Sequence, residues 1–545
     1  MIRNGSQFAR CIVAMMAIGP ALAAHADDRK FTDRVVGPGI GTRGERKPPR
    51  GLGMPGLFDQ RNRVQTAALD VESLKQEDAL RFGGPSRTGI VQEFAARTDG
   101  DGLWTQMADG GWLWTLTVHA TGARGVRVRI PIWRPPIGAE LGIYNAADPA
   151  EFRGPITGSF RPQTGVLWTP TIYGEEVRLE YYLPPQIDHR HPANHIVVDG
   201  VVNEYAPQIE PRRAPAVGQQ FAQAGDPTEG GSTPNCPGDL ALACHQDMAC
   251  NSTFQTEANG VGGLSFVSNS TALFCSGGML NRVPEDFDTL FMTATHCGIT
   301  DANADTVLVT WLFQDQTCGG CDAPAIATLA QTLGSTVLVR DEDTDWTLLG
   351  LTSDLPGGLT WLGWDANGLS NDEPVTGIHH PQGSFKRISF GQKVNNNGTR
   401  PDFNNLPACQ GGSAHRVEWS SGLTEPGSSG SPIFANVDQR VRGTLSCGNT
   451  PSCGGPNNSS YGRLDQAFDL LEPWLDPVDP VFVDNTHNGD EVGTAAEPFD
   501  TILEGAFAVI AGSDLFIEAG TYGANPTIDR PMVIHSRNGV AVIGN

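Results

Sequence analysis

Short runs of alternating hydrophobic and polar residues, separated by turn residues, recur between about residues 90 and 203. The clearest are Trp112–Val118, Val126–Ile130, Val177–Tyr182 and His195–Val198. Alternation with a period of two is typical of strands that bury one face, so Val126–Ile130 is predicted to be half-buried. We therefore expect a small antiparallel sandwich or barrel in this part of the chain, without a catalytic constellation.

Segments rich in Gly and Pro divide the chain. Residues 27–65 are rich in Gly, Pro and Arg and are expected to lack fixed structure. Pro, Gly, Gln and Ala dominate residues 211–235, which are predicted to be a linker, and a second break lies at Asp476–Pro480. The predicted organisation is a signal peptide at 1–26, a β-rich N-terminal region at 27–210, the linker at 211–235, a central domain at 236–476 and a C-terminal segment at 477–545.

The first 26 residues have the features of an export signal. Arg3 and Arg10 supply positive charge, Cys11–Gly19 is a short apolar run, and Ala21–Ala26 offers small residues for cleavage. The apolar run is too short to span a bilayer, and no other run of about 18 apolar residues exists. The mature protein is therefore expected to be secreted by bacterial export, with no membrane span.

Composition and charge exclude several classes of protein. The 545 residues carry a formal net charge of −24, so no basic excess offsets the phosphate charge of a nucleic acid. The 66 Gly and 39 Pro make the chain turn-rich but fall short of a low-complexity composition, and 39% hydrophobic residues suffice for packed cores. We expect a soluble, all-β protein that binds no nucleic acid.

The cysteines outside the signal peptide all fall in the central domain. They are Cys236, Cys244, Cys250, Cys275, Cys297, Cys318, Cys321, Cys409, Cys447 and Cys453. An even number of cysteines in an exported chain predicts disulfides. The Cys-Gly-Gly-Cys spacing at 318–321 could be half of a zinc or redox site, but no second C-x-x-C is present. No metal site and no cofactor are predicted.

Candidate catalytic residues are concentrated in the same domain. His296 ends an apolar strand, Asp345 begins another, and Ser429 lies in a Gly/Ser loop. A serine hydroxyl is a weak nucleophile that needs an adjacent base, imidazole can carry its proton, and a buried carboxylate fixes the imidazole tautomer. Glycines beside the serine allow backbone N–H groups to converge on an oxyanion, which makes Gly427 and Ser429 the predicted oxyanion hole.

These residues resemble those of the chymotrypsin-like serine peptidases, and in particular the bacterial lysyl endopeptidases, over about residues 236–477. The resemblance rests on eight motifs in the family's order: Thr-Ala-Thr-His296-Cys297, Thr344-Asp345-Trp-Thr-Leu-Leu, Trp361-Leu-Gly-Trp-Asp365, Ile378-His-His-Pro381, Lys386-Arg-Ile-Ser389, Thr424-Glu-Pro-Gly-Ser-Ser429-Gly-Ser-Pro432, Tyr461-Gly-Arg463 and Trp474-Leu-Asp-Pro477. It implies two six-stranded β-barrels with the site in the cleft between them. The β-rich N-terminal region is expected to precede them as a pro-region.

The acid of the predicted triad has two competitors. Asp341 and Asp343 lie close to Asp345, but only Asp345 is followed by the x-x-Leu-Leu-x-Leu pattern that the family places behind its acid. Two further matches to the family, His379 and His380, have no evident partner nearby in the sequence. We interpret both as structural histidines.

Three serines of the loop compete as nucleophile. Ser429 holds the family's position in Gly-Ser-Ser-Gly-Ser-Pro, and Ser428 and Ser431 are the alternatives. In trypsin-like zymogens a new N-terminal amine pairs with an aspartate just before the nucleophile. Ser428 has no charge for that role, so we expect another interaction to order the oxyanion loop and the pro-region to cover or chaperone the domain.

The predicted specificity pocket departs from the family. Lysyl endopeptidases carry an aspartate just before Tyr-Gly-Arg, where this chain has Ser459, and Leu423 lies where trypsin has its acid. Together with Ser446 and Gly448 these residues predict a neutral pocket, so cleavage after Lys or Arg is not expected. The Ser429 loop also resembles that of glutamyl endopeptidases, which leaves an acidic preference as the alternative.

The resemblance also implies three disulfides. They are Cys275–Cys297, Cys244–Cys453 and Cys250–Cys318. It gives no pairing for the remaining four cysteines, Cys236, Cys321, Cys409 and Cys447.

The C-terminal segment resembles the opening of a right-handed parallel β-helix of the pectate-lyase-like type. The motifs are Val483-Asp-Asn485, Gly493–Ile502, Ala519–Tyr522 and Thr527–Ile534.

Two classes of function remain open for the whole protein. One is a secreted serine endopeptidase that acts on proteins or peptides, with its own pro-region as a partner. The other is a non-catalytic surface adhesin or glycan-binding protein with an inert peptidase domain, which only a glycan or surface contact of the C-terminal segment would favour.

Overall fold

The computed structural model describes residues 31–37, 48–54, 62–79, 84–206, 239, 241–283, 287–394, 414–477, 480–509, 513–523, 526–528 and 532–544. The predicted signal peptide lies outside these residues, as do the linker at 211–235, Cys236 and Cys409. None of the described helices combines the length and apolar character that crossing a membrane requires.

The N-terminal region is a β-sandwich. Its described elements are β1 (Phe31–Thr32), β2 (Val35–Val36), β3 (Arg63–Thr66), α1 (Val71–Ala79), β4 (Ser86–Arg97), β5 (Leu103–Gln106), β6 (Trp112–Ala120), β7 (Gly125–Ile130), β8 (Glu140–Asn145), β9 (Phe152–Thr157), β10 (Leu167–Trp168), β11 (Ile172–Tyr173), β12 (Glu176–Leu183) and β13 (Val197–Glu204). One sheet contains β3, β5, β6, β12, β8 and β9, and the other contains β10, β11, β7, β13 and β4. Apolar side chains of both sheets form one core, in agreement with the predicted sandwich.

The central domain follows with two further sets of strands. Its described elements are β14 (Gln246–Asp247), α2 (Gln255–Ala258), β15 (Val261–Ser268), β16 (Thr271–Met279), β17 (Leu290–Ala294), β18 (Leu308–Thr310), β19 (Gln331–Leu333), β20 (Ser335–Asp341), β21 (Trp346–Leu351), β22 (Thr360–Trp361), β23 (Trp364–Asp365), β24 (Pro374–His379), β25 (Arg387–Lys393), β26 (Ala414–Ser421), β27 (Pro432–Ala435), β28 (Val441–Gly448), β29 (Asn457–Arg463) and α3 (Leu464–Leu475).

These strands form two barrels. In the first, β20, β21, β17, β16, β15, β18 and β19 pair in that order, and β19 continues into β20 through Gly334, whose φ of +82° suits glycine. In the second, β24, β25, β26, β29, β28 and β27 pair in a ring that closes between β27 and β24. Counting β19 and β20 as one bent strand, the predicted all-β fold with two six-stranded barrels is confirmed.

The N-terminal sandwich shares a sheet with the first barrel. Strand β4 pairs with β13 along one edge and with β16 along the other, where Ile90 lies opposite Thr271. Side chains strengthen the junction, since the Asp305 carboxylate accepts hydrogen bonds from the backbone N–H groups of Gln163 and Thr164 at 2.8 and 2.7 Å. The edge of the first barrel is therefore covered rather than exposed.

Part of the segment predicted to lack structure is ordered. Strand β1 pairs with β23 and β2 pairs with β22, and Arg34 forms an ion pair with the buried Glu257. The expectation for residues 27–65 is thus wrong for residues 63–65, which belong to β3 and pair with β6, and for residues 31–37. The backbone groups of β1 and β2 pair with strands more than 300 residues away, which a local composition cannot reveal.

Strand β7 is more buried than its alternating pattern predicts. The Arg127 side chain, on the face predicted to be exposed, donates hydrogen bonds to the carbonyls of Thr169 and Thr306, both at 2.8 Å. Thr306 belongs to the central domain, which therefore covers this polar face. Burial lowers the pKa of Arg127 to about 10.

The C-terminal segment contains β30 (Val481–Val483), α4 (Ile502–Ala508), β31 (Asp514–Tyr522) and β32 (Val533–Ile543). The three strands pair in parallel. The sheet is attached to the central domain by the buried Arg282, which pairs with Asp288 and with Asp514 of β31.

We expect Arg127→Met to lower the free energy of unfolding by about 3 kcal/mol, because two buried carbonyls and the buried Glu204 carboxylate lose a cationic partner. The matched control is Arg129→Met, two residues along the same strand, which removes a partly exposed pair with Asp199 and should cost less than about 1 kcal/mol. Urea unfolding followed by tryptophan fluorescence measures both. An equal decrease in the free energy of unfolding for both variants would show that the burial of Arg127 contributes no additional stability.

Candidate active site

His296 and Asp345 meet where two paired strands end. Strand β17 ends just before His296 and β21 begins just after Asp345, and Ala294 lies opposite Trp346 in the antiparallel ladder. His296 Nδ1 is 2.6 Å from Asp345 Oδ2, and the His296 backbone N–H donates to Asp345 Oδ1 at 2.8 Å. The carboxylate therefore fixes the ring and favours the tautomer with the proton on Nδ1, which leaves Nε2 as the basic nitrogen.

Asp345 is the only one of the three candidate acids bonded to His296 in the described chain. Asp341 instead accepts a hydrogen bond from the backbone N–H of Asp343 at 3.1 Å. The Ser446 hydroxyl donates to Asp345 Oδ2 at 2.6 Å, and the Thr295 N–H donates to the Asp345 carbonyl at 3.0 Å. Ser446, predicted to line the specificity pocket, thus uses its hydroxyl to hold the acid.

The turn that carries Ser429 is attached to both barrels. The Ser429 carbonyl accepts from the N–H of Ser276 in β16 at 2.8 Å, and the Gly430 N–H donates to the carbonyl of Leu445 in β28 at 2.9 Å. A Cβ atom added at Gly430 would lie 2.8 Å from the backbone nitrogen of Ala294. The candidate nucleophile therefore lies beside the strand that ends at the candidate base.

Four groups of this site have no partner within the described part of the chain. They are the Nε2 atom of His296, the hydroxyl of Ser429, and the backbone N–H groups of Gly427 and Ser429. By contrast, the N–H groups of Ser428 and Gly430 donate to protein carbonyls. The arrangement leaves one base, one hydroxyl and two donors available to a substrate. Serine and histidine of such sites often come within hydrogen-bond distance only when substrate is bound.

The competing serines are engaged elsewhere or inaccessible. The Ser428 hydroxyl lies 2.8 Å from Nδ1 of His379, and Ser431 is completely buried.

His380 is hydrogen-bonded through Nδ1 to the Ser384 carbonyl, and burial lowers its pKa to about 3. Both histidines predicted to be structural are fully buried, with partners that the sequence did not indicate.

The predicted pocket residues form a polar but uncharged group. The Ser459 hydroxyl accepts from the indole N–H of Trp419 at 2.8 Å and lies 2.7 Å from the Thr424 hydroxyl. A Cβ atom at Gly448 would lie 3.1 Å from the same Thr424 oxygen, so glycine keeps this space open. Leu423 is buried beside them. Sequence reasoning missed Trp419 and Thr424 as pocket residues. Trp419 lies outside the motifs compared with the family, and Thr424 opens the motif of the Ser429 loop without a role being indicated for it.

Two family models match the chain. One, "Lysyl endopeptidase N-terminal domain", matches residues 63–193, and the other, "Lysyl endopeptidase, C-terminal domain", matches residues 239–463. Together they match more than half of the chain and both of the domains described above. The chain belongs to the lysyl endopeptidase family.

A curated lysyl endopeptidase from Pseudomonas aeruginosa is 27% identical to this family member over 320 residues, which cover 57% of this chain. The match spans 63% of that relative's own length, less than two thirds. Residues after 463 lie outside both family models, and the comparisons do not support the pectate-lyase-like resemblance of the C-terminal segment.

Solved structures similar to this family member include the active form of the Rv3671c protease from M. tuberculosis, with 15% identity and a TM-score of 0.30. That match covers 49% of this chain and 97% of the other. The HtrA-type protease AlgW with tripeptide has 14% identity and a TM-score of 0.29, and the match covers 41% and 62% of the two chains. At these scores neither structure supports a conclusion about function.

The acid of the nucleophile loop, Glu425, does not face the pocket residues. Its Oε2 accepts from the Leu242 N–H at 2.8 Å and lies 2.7 Å from Nε2 of His245. Sequence reasoning did not single out His245, because a lone histidine beside Cys244 carries no spacing signal.

The central domain of this lysyl endopeptidase family member contains the three disulfides that the resemblance implied: Cys244–Cys453, Cys250–Cys318 and Cys275–Cys297. Cys321 and Cys447 are disulfide-bonded as well. Both sulfur atoms of the Cys-Gly-Gly-Cys sequence are thus in disulfides rather than in a zinc or thiol redox site.

We expect the double substitution Cys275→Ala and Cys297→Ala to lower the free energy of unfolding by about 3 kcal/mol. The bond closes a loop with a sequence separation of 22, and the chain-entropy estimate gives a loss of this size. Guanidinium unfolding of the oxidised proteins measures it. Non-reducing peptide mapping that finds Cys275 joined elsewhere would contradict the assignment.

Proposed function

We propose that this member of the lysyl endopeptidase family is a secreted serine endopeptidase that hydrolyses peptide bonds through an acyl-enzyme on Ser429. The observation that carries the proposal is the His296–Asp345 pair beside a serine turn with two unused N–H donors. Buried polar groups are normally paired, so a buried imidazole nitrogen and two turn amides without partners indicate a place for substrate.

In the proposed mechanism, the Ser429 oxygen attacks the carbonyl carbon of the scissile bond while its proton passes to Nε2 of His296. The N–H groups of Gly427 and Ser429 stabilise the resulting oxyanion. Asp345 remains ionised and stabilises the imidazolium. His296 then returns the proton to the leaving amine, and a water molecule hydrolyses the acyl-enzyme with His296 again as base.

We expect Ser429→Ala to lower kcat by roughly 10⁶-fold, leaving about 10³-fold acceleration over water from binding and oxyanion stabilisation. The variant should also resist labelling by a fluorophosphonate, which reacts with activated serines. Ser431→Ala is the matched control, because Ser431 is two residues away and fully buried. Labelling lost in the control but kept in Ser429→Ala would reverse the assignment. A wild-type protein that is never labelled would favour the inert-domain alternative.

For specificity, we propose a pocket that takes uncharged side chains before the scissile bond. Its floor is the hydroxyl pair of Thr424 and Ser459, and the nearest loop acid, Glu425, is committed to Leu242 and His245. A Lys or Arg side chain would be buried there without a carboxylate, which is costly. A glutamate side chain would accept the one hydroxyl proton that the Thr424–Ser459 bond leaves free, and glutamate is the alternative substrate class.

Cleavage of a peptide library should therefore show little Lys or Arg before the scissile bond. Ser459→Asp restores the acid at the family's position and should raise kcat/KM for a lysine substrate at least tenfold, since a partner for the ammonium is supplied. Ser459→Asn is the matched control of similar size without the charge. Strong cutting after Lys by the unaltered protein would contradict the neutral pocket.

The N-terminal sandwich is proposed to be the protein's own pro-region. One observation in support is the pairing of β4 with β16, which extends the sheet of the first barrel. The other is the hydrogen bond that Arg127 donates to the Thr306 carbonyl. A covered barrel edge cannot pair with another chain during folding. The pro-region would thus assist folding, and export through residues 1–26 would place the enzyme outside the cell.

A further inference from the structure

The turn at residues 425–430 is held by buried polar contacts on several sides. The Ser276 hydroxyl donates to the Gly427 carbonyl at 2.9 Å, and the Gln382 N–H donates to the Pro426 carbonyl at 2.7 Å. Gly427 has a φ of +91°, a conformation that side chains disfavour. Because a carbonyl and the following N–H share one planar peptide unit, the Gln382 contact helps to aim the Gly427 N–H, and the first residue of the turn supplies a further attachment.

Glu425 is the first residue of the turn and is attached to the beginning of the central domain. Its side chain is 5% exposed, and one oxygen, Oε2, is shared by the Leu242 N–H and His245 Nε2. Burial lowers the pKa of His245, and the contact with Glu425 opposes that shift. A neutral His245 that donates from Nε2, together with the Leu242 amide, therefore satisfies a carboxylate that would otherwise be costly to bury.

Ser428 is attached on the opposite side through His379. The Ser428 hydroxyl accepts from the Glu425 N–H at 3.2 Å, so its own proton is directed to His379 Nδ1 at 2.8 Å. His379 Nε2 then donates to the Ser389 hydroxyl at 3.2 Å, which donates to the Leu423 carbonyl at 3.0 Å. This order of donors requires a neutral His379, and its burial favours the neutral ring.

We propose that Glu425, held by His245 and the Leu242 amide, is a positioning residue that aims the N–H groups of Gly427 and Ser429 at the oxyanion. The inference rests on the proposed endopeptidase function and extends it to the order of the oxyanion loop. The donor at Leu242 is a backbone N–H group within the chain. The contact with Glu425 therefore does not require a new N-terminal amine released by cleavage. It takes the place of the ammonium–aspartate pair that Ser428 cannot form.

The test compares Glu425→Ala, Glu425→Gln and Glu425→Asp in the full-length chain. Gln keeps an oxygen at the same distance for both donors, whereas Asp keeps the charge but is one methylene too short. We expect kcat to fall about 100-fold in the Ala variant and at least tenfold in the Asp variant, with KM unchanged, and to fall less than fivefold in the Gln variant. Glu257→Ala, which removes another buried carboxylate away from the turn, is the control and should change kcat less than twofold.

Several outcomes would overturn the inference. One is a folded Ala variant with kcat within twofold of the wild type. Another is a rise in KM with kcat unchanged, which would place Glu425 in the substrate pocket. A third is an Asp variant more active than the Gln variant, which would mean that charge rather than geometry matters. The Gln and Asp variants decide the question even if the Ala variant does not fold.

Hydrogen–deuterium exchange separates this inference from the proposed function, because it does not depend on activity. The peptide that contains residues 423–431 should exchange at least tenfold faster in Glu425→Asp than in the wild type, and should be unchanged in Glu257→Ala. Unchanged exchange in Glu425→Asp would overturn the positioning role. A wild type that resists fluorophosphonate labelling would refute the endopeptidase proposal, whereas the exchange result would still decide whether Glu425 orders the turn.

Discussion

The candidate site depends on two backbone hydrogen bonds that attach the serine turn to both barrels. The Ser276 N–H donates to the Ser429 carbonyl, and the Gly430 N–H donates to the Leu445 carbonyl. Because these bonds belong to β16 and β28, the position of the serine is set by the packing of two closed barrels rather than by the loop itself. The next residue of β28, Ser446, also holds Asp345, so the same strand supports the acid and the nucleophile.

Buried charge in this protein is stabilised by specific donors. Asp345 is bonded to His296 and Ser446, and Glu425 is bonded to His245 and the Leu242 amide. Each carboxylate thus retains hydrogen bonds that it would otherwise make with water. The arrangement around Asp345 also fixes the imidazole, and the one around Glu425 is proposed to fix the turn at residues 425–430. Stability and the proposed chemistry therefore rest on the same contacts.

One sheet of the N-terminal sandwich continues into the first barrel. This shared sheet connects the two parts more closely than a linker would. Strand β4 supplies the shared edge, and Arg127 and Asp305 satisfy polar groups across the junction. A region bound by a strand edge and buried ion contacts can guide folding of its neighbour. In the proposed role of a pro-region, it would have to be released without disturbing β16, because that strand also holds the Ser429 carbonyl.

The sequence by itself determined the all-β class and singled out His296, Asp345 and Ser429 as candidate catalytic residues, since short motifs and period-two patterns are local properties. It also indicated the three disulfides through the family resemblance. Only the tertiary structure decided that Ser446 holds the acid, that Glu425 turns toward His245, and that Arg127 of β7 is buried. The physical reason is that a side chain's partner is set by how the barrels close. The partners of Ser446 and Glu425 lie more than 100 residues away, where no local pattern can indicate them.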